Sequence, residues 1–390
     1  MNLKTLDQAD LSGKKILLRA DLNVPIKNGQ ITDTTRIEGI KATVDFILKA
    51  GASLAICSHL GRPDGQPNPE FSLEQIAGTL AKILETKVVF VNDCITPNIS
   101  ELLSTDHILL LENTRFHTEE EANDAEFSAK LATPFDIFVN DAFGTTHRAH
   151  ATTEGITHHL PSYAGLLIQK EVEAMSPLLS DCPKPLTVLI GGAKIDTKIG
   201  IIKNFIGKAD NILIGGALAN TFLLAKGYNV GKSLVEEDKV ELAQEIMMEA
   251  DNQGTSLLVP ADVILADQIS ADAETVNLPP EDITSNMLIL DIGANTTSDY
   301  ATIIKASHTV IANGPMGLYE HAPFSNGTIS TLQAMADCQG TTIIGGGDSI
   351  DAMNKYGINE KEFNHVSTGG GAMIEFLEGK VLPGIKPLLS

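Results

Sequence analysis

The chain has 390 residues, a length typical of about two domains. Hydrophobic residues make up 43% of it and charged residues 20%, which is the composition of an ordinary soluble protein. A net charge of −22 excludes nucleic acid and acidic membranes as general partners, but it allows a small anionic substrate where cations are concentrated. The sequence has no run of about 20 apolar residues, and its first residues lack the apolar stretch of a secretory signal, so we expect neither a membrane span nor secretion. Its four cysteines are scattered without ligand-like spacing, which disfavours a disulfide framework or a zinc knuckle, so we expect a protein of the reducing cytoplasm.

Near-continuous apolar runs in the first half predict strands that are buried on both faces of a parallel sheet. The runs and the polar residues that end them are Lys15–Asp21, Leu54–Arg62, His107–Arg115 and Ile137–Arg148. Amphipathic stretches between them predict helices at Thr34–Lys49, Ser72–Glu85 and Ala125–Ala132. A longer stretch from Pro161 or Ser162 to Met175 predicts a helix that links two domains.

Arginine is confined to the first part of the chain. All five arginines lie within the first 148 residues, four of them just past a predicted strand and one at the start of a predicted helix: Arg19, Arg62, Arg115, Arg148 and Arg36. Guanidinium groups match phosphate and carboxylate oxygens in two-point contacts, and parallel sheets bind ligands beyond the carboxyl ends of their strands. The pattern therefore predicts a site for a small, multiply charged anion, with His59 beside it.

Glycine is concentrated in the second half, with 23 of 33 glycines after Lys170. Glycine clusters follow predicted strands and let backbone N–H groups approach a phosphate or a flat ring. The clusters are Gly191–Lys194, Gly215–Ala217, Gly293, Asn313–Gly317, Gly345–Ser349 and Gly369–Ala372. Helices are predicted at Ile199–Lys208, Ala217–Lys226, Val235–Ala250, Thr328–Ala336 and Asp348–Lys355. These features predict a nucleotide site with Asp348 on Mg²⁺.

Two common nucleotide fingerprints are missing from the sequence. No Gly-x-Gly-x-x-Gly follows a strand with an acidic residue at dinucleotide spacing. Residues Gly227–Ser233 have one residue too few between the glycines for a P-loop and follow a predicted helix, so we interpret them as a helix end and connector.

An anion site in one domain and a nucleotide site in the other favour phosphoryl transfer, which needs alignment, Mg²⁺ and cations rather than covalent help from the protein. Arg36 from the first domain and Lys194 or Lys198 from the second are suited to hold the transferring group. Two alternatives remain at this point: a two-domain NAD-dependent dehydrogenase and a non-catalytic phosphosugar-binding protein. The dehydrogenase does not explain the confinement of arginine, and the binding protein does not require cations at Arg36 and Lys198.

The motifs resemble those of phosphoglycerate kinases over nearly the whole chain. The matching segments are Arg19–Pro25, Asp33–Arg36, Ser58–Pro63, Leu111–Phe116, Asp141–His150, Gly191–Lys198, Asn313–Gly317, Gly345–Ser349 and His365–Gly371. The resemblance implies reversible transfer of the acyl phosphate of 1,3-bisphosphoglycerate to Mg-ADP, which gives 3-phosphoglycerate and ATP. It also implies a monomer with an α/β fold of two Rossmann-like lobes, each a parallel sheet flanked by helices, joined by a helical hinge that bends.

The resemblance also assigns residues. The substrate-binding residues are Asp21, Leu22, Asn23, Arg36, His59, Leu60, Gly61, Arg62, Arg115 and Arg148. The nucleotide-binding residues are Lys194, Lys198, Gly293, Asn313, Glu320, Gly346, Gly347, Asp348 and Ser349, with Asp348 as the metal ligand. The catalytic residues are Arg36 and Lys198, with the backbone N–H groups of Gly347 and Gly370.

The implied domains are residues 1–168 for the phosphoglycerate side and 169–373 for the nucleotide side, with 374–390 packed back on the first domain. The sequence departs from the family pattern at three places. Ala294-Asn295 replaces Pro-Lys, Ala312 replaces Trp and Met373-Ile374 replaces Ser-Leu.

Overall fold

A computed structural model describes residues 1–284 and 286–390. The chain divides into two compact units: unit 1 is Met1–Ser176 with Val381–Ser390, and unit 2 is Pro177–Lys380. Both boundaries between the units lie several residues later in the chain than the domain boundaries predicted from the sequence, at 168/169 and 373/374. Among the described residues, no helix is both long and apolar enough to cross a membrane.

The strands of unit 1 form a parallel sheet and a small hairpin. They are β1 (Lys15–Arg19), β2 (Ile26–Lys27), β3 (Gln30–Ile31), β4 (Ser53–Cys57), β5 (Val88–Val91), β6 (Ile108–Leu111), β7 (Ile137–Asn140) and β8 (Ser162–Ala164). The parallel sheet has the order β5-β6-β4-β1-β7-β8, and β2 pairs with β3. Alternate residues of β1 enter different cores, since Ile16 and Leu18 pack on one face and Leu17 on the other. This is the two-sided burial that a continuous apolar run predicts.

The helices of unit 1 cover this sheet. They are α1 (Thr35–Gly39), α2 (Lys41–Lys49), α3 (Glu74–Leu84), α4 (Ile99–Leu102), α5 (Thr118–Glu121), α6 (Ala125–Ala132) and α7 (Leu166–Met175). In α3 the buried residues Ile76, Leu80 and Leu84 recur every four positions, which gives one apolar face. The Asp124 side chain accepts a hydrogen bond of 2.8 Å from the Phe127 backbone and caps α6.

The prediction of one helix from Pro161 to Met175 was wrong at its start. Ser162–Ala164 forms the edge strand β8, which pairs with β7, and the helix α7 begins only at Leu166. The Asp141 carboxylate accepts hydrogen bonds from the Leu167 and Ile168 backbones, at 2.9 and 3.2 Å, and so fixes that start. The helix belongs to unit 1, whose first segment ends just after it.

Unit 2 is built in the same way around a second sheet. Its strands are β9 (Leu186–Ile190), β10 (Asn211–Ile214), β11 (Ser256–Leu258), β12 (Val263–Ala266), β13 (Val276–Leu278), β14 (Leu288–Ile292), β15 (Thr309–Asn313), β16 (Thr341–Gly345) and β17 (His365–Ser367). The parallel sheet has the order β11-β10-β9-β15-β16-β17. The α/β prediction with two parallel sheets flanked by helices is therefore confirmed.

The helices of unit 2 are α8 (Ile199–Phe205), α9 (Leu218–Ala225), α10 (Val240–Asn252), α11 (Ala294–Ala306), α12 (Asn326–Ala336), α13 (Gly347–Tyr356) and α14 (Gly371–Leu377). Strand β14, expected as one more parallel strand, instead joins the antiparallel sheet β13-β12-β14. The connector after α9 is as predicted, with Gly227 at φ +88° just past the helix end.

The C-terminal segment Val381–Ser390 packs in unit 1. The Lys4 backbone donates a hydrogen bond of 2.7 Å to the Leu388 carbonyl, and the Gly384 backbone donates one of 2.8 Å to the Thr146 carbonyl. Leu382, Ile385 and Leu388 are buried there, which accounts for the apolar character of this tail.

Candidate active site

In unit 1 the predicted substrate residues follow the carboxyl ends of neighbouring strands. Strand β1 lies between β4 and β7, and the chain leaves it toward β4 before it returns to the other side at β7. Such a reversal of strand order creates the crevice where open α/β sheets bind ligands. Asp21 follows β1, His59 follows β4, and Arg148 lies beyond β7.

Arg36 is held by the segment that follows β1. Its guanidinium donates hydrogen bonds to the Asp21 carboxylate at 3.0 Å and to the Asn23 carbonyl at 3.1 Å. The Asn23 side chain in turn accepts a hydrogen bond of 2.9 Å from the Gly61 backbone, after β4. Arg36 keeps about a third of its side chain exposed (36%), so it is positioned by Asp21 and still accessible to a ligand.

Arg19 is the most deeply buried of the five arginines, at 1% exposed against 5% for Arg115. It donates to the Thr152 hydroxyl at 2.9 Å and to Nδ1 of His59 at 3.1 Å. A guanidinium has no acceptor, so Nδ1 of His59 must be unprotonated and the neutral ring carries its proton on Nε2. Arg19 therefore orients the His59 ring from its buried side and is not itself accessible to a ligand.

The pKa of His59 reflects both its burial and the positive charge around the ring. Burial lowers the pKa of His59 well below its ordinary value, and the charges of Arg19, Arg115, Arg36 and Arg148 lower it further. His59 is therefore neutral at pH 7 and offers an N–H donor within a strongly positive environment. Four of the five arginines therefore act electrostatically on this one ring.

Arg115 and Arg148 complete this cluster, which we call the arginine edge (Arg19, Arg36, His59, Arg115 and Arg148). Arg115 donates to the Gly61 carbonyl at 2.8 Å and forms an ion pair of 3.1 Å with Glu121, and burial lowers its pKa. Arg148 donates to Nε2 of His147 at 3.2 Å.

The remaining predicted substrate residues of unit 1 differ in what they can offer. Arg62 is exposed in the loop after β4. Leu22 and Leu60 are buried side chains, so only their backbone groups can face a ligand. The Leu22 N–H is already bonded to the Ser58 hydroxyl, at 2.8 Å, and the Leu60 carbonyl accepts from Asn113 at 2.7 Å. Gly61 has φ +61°, and a Cβ there would strike the ring of Phe71.

In unit 2 the corresponding reversal of strand order lies between β9 and β15. Gly191 follows β9 and donates its N–H to the Asn313 carbonyl at 3.1 Å, at the end of β15. A Cβ on Gly191 would lie 2.7 Å from the Gly314 carbonyl oxygen, so glycine is required for this close approach. The two glycine loops are therefore packed backbone against backbone at the expected binding edge.

Lys198 and Asn313 meet at this edge. The Lys198 ammonium donates to the Asn313 side-chain oxygen, and burial lowers the pKa of Lys198 while the nearby Asp348 carboxylate opposes that shift. The Asn313 Nδ2 group is buried and has no hydrogen-bond partner among the described residues. A buried donor without a partner costs free energy, so this amide is prepared for an acceptor oxygen from a ligand.

The start of α13 supplies further polar groups. Gly346 precedes the helix at φ +100°, and Gly347 is its first residue, with no atom within 4 Å of a Cβ built there. The Ser349 hydroxyl accepts a hydrogen bond of 3.0 Å from the Gly314 backbone and ties this helix to the loop after β15. Asp348 is exposed between them. The helix N-terminus thus offers N–H groups and its positive dipole end to an anion, beside one carboxylate.

A cavity of about 270 Å³ lies next to this polar edge, and Asp348 borders both. Its wall comes from the glycine loops after β9 and β10, from β14 and from the loop after β15, and it is mainly apolar. The residues that define it include Gly192, Gly216, Leu288, Leu290, Pro315, Leu318, Tyr319 and Glu320. A flat apolar ring fits such a cavity, while attached phosphates would reach the polar edge.

Three other predicted residues occupy different positions. Gly293 precedes α11 and is packed against the Asp262 carboxylate, and its N–H donates to the Asp262 carbonyl at 2.8 Å. Lys194 is exposed in the loop after β9. Gly370 precedes α14 at φ +51°.

Comparison with known proteins identifies the family. A sequence model described as "Phosphoglycerate kinase" matches residues 6–380. A phosphoglycerate kinase of Chloroflexus aurantiacus is 49% identical over 397 residues, which cover 100% of this chain and 99% of that protein. The chain belongs to the phosphoglycerate kinase family. It is a phosphotransferase that acts on 3-phosphoglycerate in glycolysis, which removes the dehydrogenase and the non-catalytic binding protein as alternatives.

Solved structures agree with this family assignment. A structure of phosphoglycerate kinase from Coxiella burnetii has a TM-score of 0.92 at 40% identity and covers 99% of this chain and 98% of its own. One from Pyrococcus horikoshii has a TM-score of 0.84 at 30% identity, with 99% and 98% coverage.

The polar residues that support the arginine edge of this kinase-family chain were not predicted from the sequence. Ser58 holds the Leu22 backbone, Asn113 holds the Leu60 loop, and Thr152 accepts from Arg19 while it donates to Glu120. A weak signal was available for Ser58 and Asn113, which directly follow β4 and closely follow β6. None was available for Thr152, which lies in an irregular segment.

The three departures from the family pattern lie in different surroundings. Met373 is buried against Gly345, where a Cβ would strike its sulfur. Ala312 is buried in β15 within the core of unit 2. Ala294 and Asn295 are exposed in the first turn of α11, and their backbones donate to Asn277 and Asp262, both at 2.9 Å.

Proposed function

We propose that unit 1 binds 3-phosphoglycerate or 1,3-bisphosphoglycerate at the arginine edge and that unit 2 binds Mg-ADP or Mg-ATP at the cavity and polar edge. The observation that supports this assignment of one substrate to each unit is the chemical contrast between the two sites. Guanidinium groups converge around His59 in unit 1, whereas unit 2 joins an apolar cavity to a helix N-terminus. Guanidinium suits carboxylate and phosphate, and the second arrangement suits a nucleotide.

In unit 1 the substrate carboxylate and 3-phosphate would be bound by Arg36, Arg62, Arg115 and Arg148. His59 donates through Nε2–H, because Nδ1 is occupied by Arg19. This ring is not a general base, and the reaction requires none, because the acceptor is a carboxylate rather than a hydroxyl. Asp21 and Asn23 act by holding Arg36.

In unit 2 the cavity would take the nucleoside, with Glu320 at its border, and the phosphates would meet Lys198, Asn313, Ser349 and the start of α13. The unpartnered Nδ2 of Asn313 supports a phosphate oxygen at this place. One exposed carboxylate, Asp348, beside expected phosphate oxygens is the donor set that Mg²⁺ prefers. When bound, Mg²⁺ would neutralise charge on the phosphates. Lys194 and Gly293 are assigned by resemblance alone.

The transferring phosphoryl group would be stabilised by Arg36 and Lys198, with backbone N–H groups of Gly347 and Gly370. The hinge between the units would bend during the reaction. Each substrate would be bound by a different unit, and the attacking and leaving oxygens must come into line for the transfer. Closure also excludes water, which would otherwise accept the phosphoryl group.

We further propose a cytoplasmic monomer without nucleic-acid or membrane partners. None of the four cysteines is part of a disulfide, which fits a reducing compartment, and the charge of −22 repels polyanions. The monomeric state rests on the resemblance to the family.

The test of the mechanism is a coupled assay of 3-phosphoglycerate with Mg-ATP on Arg36→Ala. A cation that acts in the transition state contributes about 10²- to 10³-fold to kcat, so we expect kcat to fall by that factor with little change in KM. Lys41→Ala, which removes an equally exposed cation from the neighbouring helix, is the control and should match the wild type. Unchanged kcat with a higher KM for Arg36→Ala would show that Arg36 only binds substrate.

A further inference from the structure

A cluster of three metal-ligating side chains lies in unit 1 outside the arginine edge. It consists of Asp93 and Cys94, which follow β5, and His117, which precedes α5. One ligand atom from each residue lies within 4.8 Å of both others. The proposed phosphoryl transfer uses none of these residues.

We propose that Asp93, Cys94 and His117 bind one divalent transition metal ion of the Zn²⁺ type. The donors are the Cys94 thiolate, Nε2 of His117 and a carboxylate oxygen of Asp93. This site is independent of the proposed function, because it needs neither substrate nor nucleotide.

The geometry is close to what a metal requires. Nε2 of His117 and Oδ1 of Asp93 are 3.0 Å apart. Two ligands on Zn–N and Zn–O bonds of about 2.0–2.1 Å in a tetrahedral arrangement are roughly 3.3 Å apart. A tetrahedral site places a sulfur and a nitrogen ligand roughly 3.6 Å apart. The ligand atoms lie within 4.8 Å of one another, so a small widening of the Asp93–His117 pair and a movement of the Cys94 sulfur of at most about 1.2 Å make room for the ion.

The donor types select the kind of ion. Thiolate and imidazole favour Zn²⁺ and Co²⁺, whereas Mg²⁺ prefers sites made only of oxygen. Three protein ligands leave a fourth position for water. On binding, the Cys94 thiol releases its proton to solvent, and the neutral His117 ring carries its proton on Nδ1 so that Nε2 can bind the ion.

The surroundings of the three side chains hold them in place and leave a path by which an ion can enter. Cys94 is buried in an apolar core that includes Phe127, and the His117 ring packs against Phe127 with a centroid distance of 5.2 Å. The Asp93 and His117 side chains are 42% and 27% exposed, so an ion can enter from their side. The Ile95 backbone also donates to the Asp93 carboxylate at 3.2 Å, which orients it.

The ion would add a link between the segments that follow the neighbouring strands β5 and β6. His117 is two residues after Arg115 and directly follows the short helix Thr114–Phe116. A metal at this site therefore ties the loop that carries Arg115 to the end of β5. Binding should stabilise unit 1.

The test is a titration of the metal-free full chain with Co²⁺, followed by absorption. We expect one equivalent to bind with a thiolate-to-cobalt charge-transfer band in the near ultraviolet. Cys94→Ser should lose the band and weaken binding by more than about 100-fold, since even the partners of metal ligands contribute about 10- to 100-fold. Cys338→Ser, which removes a cysteine from unit 2, should bind as the wild type does. A wild type without the band, or a Cys94→Ser variant that keeps it, overturns the proposal.

Because Cys94 belongs to the core, a second variant keeps the test decisive if Cys94→Ser does not fold. His117→Gln changes a partly exposed side chain, and its thermal midpoint in the absence of metal shows whether it is folded. A folded His117→Gln chain should bind Co²⁺ at least about 10-fold more weakly. Unchanged affinity in that variant would contradict the site.

Discussion

At the scale of single residues, the arginine edge depends on one arginine that supports it from the protein interior. Arg19 is buried beneath His59 and fixes which ring nitrogen carries the proton. The sequence placed Arg19 correctly at the end of β1, but its burial depends on Thr152 and Glu120, which come from distant parts of the chain. Such long-range partners cannot be predicted from local pattern.

The lowered pKa of His59 has a consequence for stability. Between the folded-state pKa and about 6.5, the unfolded chain binds a proton on this ring and the folded chain does not, so stability present above pH 6.5 is lost as pH falls. His150, with its pKa lowered to about 4 by burial, acts in the same direction. Asp141 and Asp291 act in the opposite direction, because burial raises the pKa of each to about 7.

Because these groups oppose one another, the contribution of His59 to the pH dependence of stability is measured as the difference between the wild type and His59→Gln. We expect the wild type to lose about 1 kcal/mol more free energy of unfolding than His59→Gln when the pH falls from about 7.5 to about 5.5. Glutamine keeps an acceptor for Arg19 and does not titrate, so the opposing carboxyl groups cancel in the comparison. Urea denaturation at the two pH values gives the result, and parallel curves for both proteins would show that His59 is not held neutral.

At the scale of elements, apolar runs predicted the central strands because these are buried on both faces whatever their neighbours. The same signal failed for β14 and β8. Leu288–Ile292 has the apolar character of a parallel strand but pairs antiparallel with β12, and Ser162–Ala164 is a short edge strand inside a helical pattern. Pairing partners decide such cases, and a single sequence does not contain them.

The glycine loops of unit 2 differ in how closely they pack, and this difference is testable. A Cβ on Gly191 would lie 2.6 Å from the Pro315 carbonyl carbon, which is backbone and cannot rotate away, whereas Gly347 has open space. We expect Gly191→Ala to destabilise the protein by roughly 1–3 kcal/mol, as overpacking does, and Gly347→Ala to leave stability nearly unchanged. Urea denaturation compares the two. Equal stability of both variants would mean that the approach between the β9 and β15 loops is not tight.

At the scale of the whole molecule, the distribution of residue types along the chain corresponds to two chemically different sites. Arginine is confined to residues of unit 1, and most glycine lies in unit 2, in a chain whose net charge is −22. Under the proposed function, a local excess of guanidinium in an acidic protein would direct a small anion to one place, and exposed backbone N–H groups with an apolar cavity would direct a nucleotide to the other. The segregation was visible in the sequence. The cavity was not, since its wall combines β14 with three loops distant in the chain.

The central claim is that each unit binds one substrate, and amide hydrogen exchange of the full chain with each ligand alone tests it most directly. We predict that 3-phosphoglycerate slows exchange in unit 1, around Asp21–Asn23 and His59–Arg62, and leaves unit 2 unchanged. Mg-ADP should slow exchange in unit 2, around Gly192, Gly216 and the first turn of α13, and leave the arginine edge unchanged. Protection of the arginine edge by Mg-ADP alone, or of the unit 2 cavity by 3-phosphoglycerate alone, would contradict the account.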